Sequence, residues 1–183
     1  DPPKSFERIE ELLPPVIGQT THLACGIALA DIRSDILSAH ETLSEAPPGS
    51  QEHRMAHQDF RAKVAWLYDA LDATNEIGPK FSYAWIASWV AGYSPQGLES
   101  LARHTFDVVG KEPVGEATWR SATEGASGYI DYTFKTGLGG LPEIRDLMLA
   151  LRAVGVEVYI ISASPEALVT GLAPHLTLPV SPG

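Results

Sequence analysis

The stretch from Leu141 to Val169, LPEIRDLMLALRAVGVEVYIISASPEALV, limits the fold more than any other part of this chain. Ile144, Leu147, Met148, Leu151 and Val154 recur at helical spacing, so one face of a helix is apolar. Gly155 follows, a residue that takes positive φ at no steric cost and so ends helices. Val156 to Ile161 is a short apolar, β-branched run, the pattern of a buried parallel strand. Ser162, Ala163 and Ser164 then lead into Pro165. Ser164 suits an N-cap, and Pro165 the first helical position, where no backbone N–H is needed. A hydroxyl at the C-terminal edge of a strand, facing a helix start, is where α/β folds hold phosphate.

The 183 residues are enough for one domain with a real core, or for a core plus a modest insertion. A formal net charge of −10 argues against a nucleic-acid backbone as partner. The single cysteine, Cys25, excludes an intrachain disulfide and is expected to be buried as a small hydrophobe. No apolar run approaches the roughly 20 residues that span a bilayer, so no membrane partner is expected. The chain opens on Asp1-Pro2-Pro3 without a methionine, which fits a secreted or periplasmic protein after processing, or otherwise a cytoplasmic one.

Elsewhere the chain reads as mostly helical. Phe6 to Leu13 is a short amphipathic helix stopped by Pro14-Pro15. His22 to Ala30, HLACGIALA, reads as a first buried strand running into a loop, and Asp31 to Ser44 as a helix. Ala46 to Ser50, APPGS, breaks the chain. Met55 to Ala73 and Phe81 to Ala91 are helical, and Ser94 caps another helix. Gly110 to Tyr132 holds a short extended pair, and Thr136 to Gly140 is a glycine-rich return. The order is strand, a helical insertion of about 100 residues that should be a packed subdomain, then helix, strand and helix. It divides the chain into residues 1–35 with the first core strand, 36–137 as a helical cap, and 138–183 as helix-strand-helix.

That order resembles the haloacid dehalogenase superfamily of phosphatases, nearest its phosphorylcholine-phosphatase-like and phosphoserine-phosphatase-like branch. Two blocks carry the resemblance. GVEVYIISASPEALV is similar to the second superfamily motif, and FSYAWIASWVAGYSPQGLESLA to the aromatic cap helix and turn of that branch. The resemblance implies an α/β Rossmann-like core with an inserted, mostly helical cap. It implies phosphate binding at Ser162, Ala163 and Ser164, with Mg²⁺ as the cofactor of active relatives. Trp66, Tyr83 and Trp85 of the cap become ligand-facing aromatics, able to attract a cation, against core packing as the plainer expectation.

The departures from the family decide the expected function. Placed by the helix that follows it, the family's Asp-x-Asp-x-Thr loop falls on Cys25 to Ala30, with Gly26, Ala28 and Ala30 at its three chemical positions. Glycine and alanine offer no nucleophile, no proton and no metal ligand. No lysine follows Lys135 and no acidic residue follows Glu166, so the third and fourth motifs lack counterparts. No catalytic residue, metal ligand or cofactor is assigned. The expectation is a family member that is catalytically impaired or inactive as this chain, with at most a weak phosphate site. The alternatives are a fragment or altered form of a hydrolase of small phosphomonoesters, and a subunit completed by a partner chain. An incomplete sheet would favour a homo- or hetero-oligomer. His53 and His57, at i, i+4, lack the glutamate and third ligand of a zinc site and read as a surface pair.

Overall fold

The computed structural model describes residues 9–14, 22, 23, 25–74, 78–137, 139–162, 164–174, 176, 178 and 179. Their elements are α1 (Ile9–Leu12), α2 (Leu29–Glu45), α3 (Gln51–Ala73), α4 (Gly78–Ser88), α5 (Pro95–Val109), β1 (Gly115–Arg120), β2 (Asp131–Thr136), α6 (Pro142–Ala153) and α7 (Glu166–Leu172). The fold is mixed α/β and mostly helical, and its sheet is a two-stranded antiparallel ribbon of β1 and β2.

Two compact units divide the chain. One joins residues up to Gly92 with Ala117–Phe134, and the other joins Tyr93–Glu116 with Lys135 onward. This is not the division expected from sequence. A boundary at 35/36 would cut through α2, which runs unbroken from Leu29 to Glu45.

The first unit is built on α2 and α3. Ile32, Ile36, Leu67 and Leu71 are fully buried where these helices meet. The i, i+4 spacing within each pair puts them on one face. Leu13, Leu23, Leu29, Trp85 and Ile130 complete this core. Helix α3 starts where Ser50 accepts a hydrogen bond from the His53 N–H at 3.0 Å, an N-cap four residues earlier than the apolar pattern indicated. The expected breaker lies between α2 and α3, beginning at Ala46. In α4, Trp85 donates its indole N–H to the Leu12 carbonyl, and its ring meets Trp89 edge-on at 5.8 Å.

The expected first strand, Leu23–Ala28, of which Ala24 lies outside the described residues, holds a tight reversal instead. Leu23 N–H donates to Ile27 O and Gly26 N–H to Leu23 O, both at 2.8 Å, and His22 and Ala28 form an isolated antiparallel bridge. The apolar residues that suggested a strand are held by burial of Leu23 and Leu29 in the helical core. Cys25, expected buried, is exposed on this turn.

In the second unit α5 and α7 pack together, meeting where Gly171 approaches Glu99 and Ala102. Ser94 caps α5 by accepting from Gly97 N–H at 3.1 Å, as its sequence position indicated. Helix α6 spans the expected residues and ends in Gly155 at φ +83. The expected second strand, Val156–Ile161, is not a strand here and carries no ladder. A β-branched run becomes a strand only when another strand supplies its hydrogen bonds. Here Val156, Tyr159, Ile160 and Ile161 are exposed, Ile161 at 98%.

Ala28 is the N-cap of α2 and makes no side-chain cap bond. Ala28→Ser should therefore stabilise the first unit by about 1 kcal/mol, read as a raised thermal midpoint by circular dichroism. No change, or a fall, would mean that the α2 N-terminus is not open to capping.

Candidate functional site

The most developed polar centre lies in the first unit, where the loop between β1 and β2 is gripped by α2 and α3. Lys63 is the third residue of a buried helical face that also holds Ala56, Asp59 and Leu67. It is 1% exposed at its side chain, and its ammonium lies 2.7 Å from Asp35 Oδ2. It also donates to the Glu124 carbonyl at 3.2 Å. Asp35, 10% exposed at its side chain, accepts from the Ala126 N–H at 2.9 Å and from the Ser127 N–H at 3.0 Å. The Ser127 hydroxyl donates to the same carboxylate at 2.5 Å. One turn before Lys63 on α3, Asp59 accepts from the N–H groups of Ala122 and Thr123 and from the Thr123 hydroxyl, at 2.6, 3.0 and 2.8 Å.

Both carboxylates thus stand in for the ladder that the loop lacks. Between them they accept from four loop N–H donors, those of Ala122, Thr123, Ala126 and Ser127. Gly125 permits the closest approach. It sits at φ +63, and a Cβ there would fall 2.3 Å from Asp35 Oδ2. Burial pushes the Asp35 carboxyl upward, but the Lys63 ammonium and the Ser127 and Ala126 donors outweigh it and hold the group below the ordinary aspartate range. A carboxylate with its lone pairs committed to four donors has little capacity left to act as nucleophile or base. This centre is a structural clamp.

From the sequence, Asp35 is only one residue of the helix from Asp31 to Ser44, and no motif there points to Asp59, Lys63 or Ser127. The available signal was charge at buried helical positions, since Lys63 and Asp59 interrupt an otherwise apolar stripe of α3.

The residues singled out from sequence do not converge. Gly26 lies at φ +87 in the turn before α2, Ala28 is the α2 N-cap, and Ala30 is exposed in the first turn of the helix rather than in a loop. No carboxylate stands at any of the three positions. Mg²⁺ is held by oxygen ligands, so these residues do not fit that ion. Among the described residues no group of three or more His, Cys, Asp or Glu is arranged to hold a metal. Trp85 is 6% exposed in the core, whereas Tyr83, two residues away on α4, is 64% exposed. Residues two apart on a helix face different directions, and Trp66 packs against the core from α3. The three aromatics therefore do not form one cage.

At the proposed phosphate loop, the Ser162 hydroxyl accepts from Ser164 N–H at 3.1 Å, a local turn of the serine side chain onto backbone. Ala163 lies outside the described residues. The N-cap of α7 is Pro165, without a side-chain cap bond, and not Ser164.

The pH dependence of the clamp follows from Asp35. Its lowered pKa stabilises the fold above the unfolded value, and that stabilisation is lost as pH falls below about 4 and through the folded value. Chemical denaturation at graded pH should show this loss, and Asp35→Asn should abolish that part of the slope. Lys63→Met should cost about 3 kcal/mol or more by stranding a buried carboxylate, and Gly125→Ala should also destabilise, through its positive φ and the clash with Asp35. A Lys63→Met protein as stable as the parent would refute the clamp.

No family model and no curated protein matches this chain. A solved structure does: a conserved functionally unknown protein from Anaerococcus prevotii DSM 20548, with a TM-score of 0.73 at 20% identity. The match covers 92% of this chain and 48% of that protein, so the chain spans about half the length of the structure it resembles. At that identity the likeness concerns the fold alone.

Proposed function

We propose that this chain is a haloacid-dehalogenase-like phosphatase-family polypeptide that is catalytically inactive by itself and retains at most a weak phosphate site. The observation that carries this reading is the turn before α2. Where the family places its nucleophile and its acid/base, this chain has Gly26 and Ala28, one in a positive-φ turn and one capping a helix. The residual anion site is the Ser162–Ser164 turn leading into α7. That helix has seven residues, and only partial charges of its first N–H groups act there. Affinity should be millimolar, about −4 kcal/mol.

Two observations favour a second reading, in which the chain is part of a phosphomonoester hydrolase or a subunit completed by another chain. The Val156–Ile161 run has the composition of a central strand yet stands exposed. The solved structure that matches is about twice as long, since only 48% of it is covered. Strands from further polypeptide would pair with this run and bury it.

The chain alone should release no phosphate from p-nitrophenyl phosphate or phosphorylcholine under Mg²⁺, and Gly26→Asp with Ala28→Asp should restore little. Turnover that survives repurification would overturn the inactive reading. Completion by other strands makes a separate prediction. Ile161→Asp should change the stability of the isolated chain by no more than about 0.5 kcal/mol, as at any exposed site, while abolishing assembly with whatever polypeptide covers the run.

A further inference from the structure

Helix α3 carries a second polar feature that neither the clamp nor the phosphatase resemblance uses. His53, His57 and Arg61 recur at i, i+4 and i+8, so their side chains follow one another along the helix with Cβ atoms about 6 Å apart. All three belong to the first unit. In this chain of net charge −10, Lys63, Arg33, Arg103, Arg120, Lys135 and Arg145 each pair with a carboxylate, whereas Arg54 on the same helix donates to the Gly49 carbonyl. Arg61 has no carboxylate within ion-pair distance among the described residues, and its Nε is buried without an acceptor. Its guanidinium instead lies over an aromatic, with Cζ 5.2 Å from the centre of the Trp119 ring. That contact orients the head group without neutralising it.

The acidic side chains that could have offset this charge are engaged elsewhere. Asp59, on the same helix, is committed to the loop N–H groups, and Asp131 of the ribbon faces Arg120 at 3.3 Å. His57 registers the result. Burial, then Arg61, then His53 press its imidazole toward the neutral form. Such a row repels a metal cation, because the guanidinium stands one turn from His57 and two turns from His53. It is the arrangement an oxyanion completes, with the guanidinium fork and two ring N–H donors supplying charge-assisted hydrogen bonds.

We infer that His53, His57 and Arg61 form a binding site for a phosphate-type dianion, either the free ion or the phosphoryl group of a small ester. The site is distinct from the Ser162–Ser164 turn and independent of whether the chain is catalytic.

The test is titration of the full chain with inorganic phosphate and, in parallel, phenyl phosphate, at constant ionic strength and near pH 8, where both are mainly dianions. Imidazole and Arg Nε–H resonances are followed by NMR. The rings of His53 and His57 and the Arg61 side chain should shift together and saturably. Arg61→Gln should weaken binding about tenfold or more, the loss expected for a charged hydrogen-bond partner. His57→Gln, which leaves the Trp119 stack in place, should weaken it as well, so that misfolding of one variant does not decide the outcome. Tighter binding of phenyl phosphate would identify an organic ester as the ligand, and equal binding the bare ion. The inference fails if these resonances stay still, or if chloride moves them equally. It also fails if phosphate shifts only the Ser162–Glu166 amides, or if Zn²⁺ rather than phosphate saturates the two histidines. Conversely, saturation here with no shift at Ser162 would sink the phosphate site of the family reading and leave this one standing.

Discussion

The buried ion pair of Lys63 and Asp35 is what the rest of the first unit depends on. Both groups are removed from water, at 1% and 10% side-chain exposure, a cost of several kcal/mol per ion that their mutual attraction and further hydrogen bonds must offset. The carboxylate also collects two backbone N–H groups and a hydroxyl from the β1–β2 loop, and the ammonium a loop carbonyl. The pair therefore does not merely join α2 to α3. It fixes a loop without ladder or helix, buried at Ser127 and exposed at Ala126, against the two helices. Asp59 does the same for the start of the loop, and Ser121 with Ile130 closes its base.

The same helix face that holds the loop separates two electrostatic regions. On one side of α3, Asp59 and Lys63 are neutralised by partners. On another, Arg61 lies over Trp119, whose ring meets Phe134 at a 56° tilt, with centroids 4.4 Å apart. The ribbon thus contributes aromatic surface to the basic row and backbone donors to the clamp. An arginine supported by an indole and lacking a counter-ion is a preorganised group, because its orientation is settled before a ligand arrives.

The second unit has a different character. Its burial is concentrated where α5 meets α7, while α6 buries only Met148 among its described residues. The apolar face of α6 and the run after Gly155 are exposed together, at Ile144, Leu147, Val156 and Ile161 among others. Apolar surface of this kind in a helix-turn-extended segment is the usual mark of a face meant to be covered.

What the sequence determined by itself was local. The apolar periodicity of α2, α3 and α6, the Ser94 cap, the break after Glu45 and the positive φ of Gly155 all follow from near-neighbour sterics and hydrogen bonding, which need no tertiary partner. The absence of chemistry at Gly26, Ala28 and Ala30 was equally legible, since it depends on residue type alone. The strands at Leu23–Ala28 and Val156–Ile161 were not decided locally. A short apolar run is a strand only if another strand lies beside it, and burial in a helical core satisfies the first run just as well. The aromatic cage dissolved because helical rotation sends Tyr83 outward and Trp85 inward. The clamp was hidden for the same reason. Asp35, Lys63 and Ser127 are far apart in the chain, and only the packing of α2 on α3 brings their charges and donors to one point.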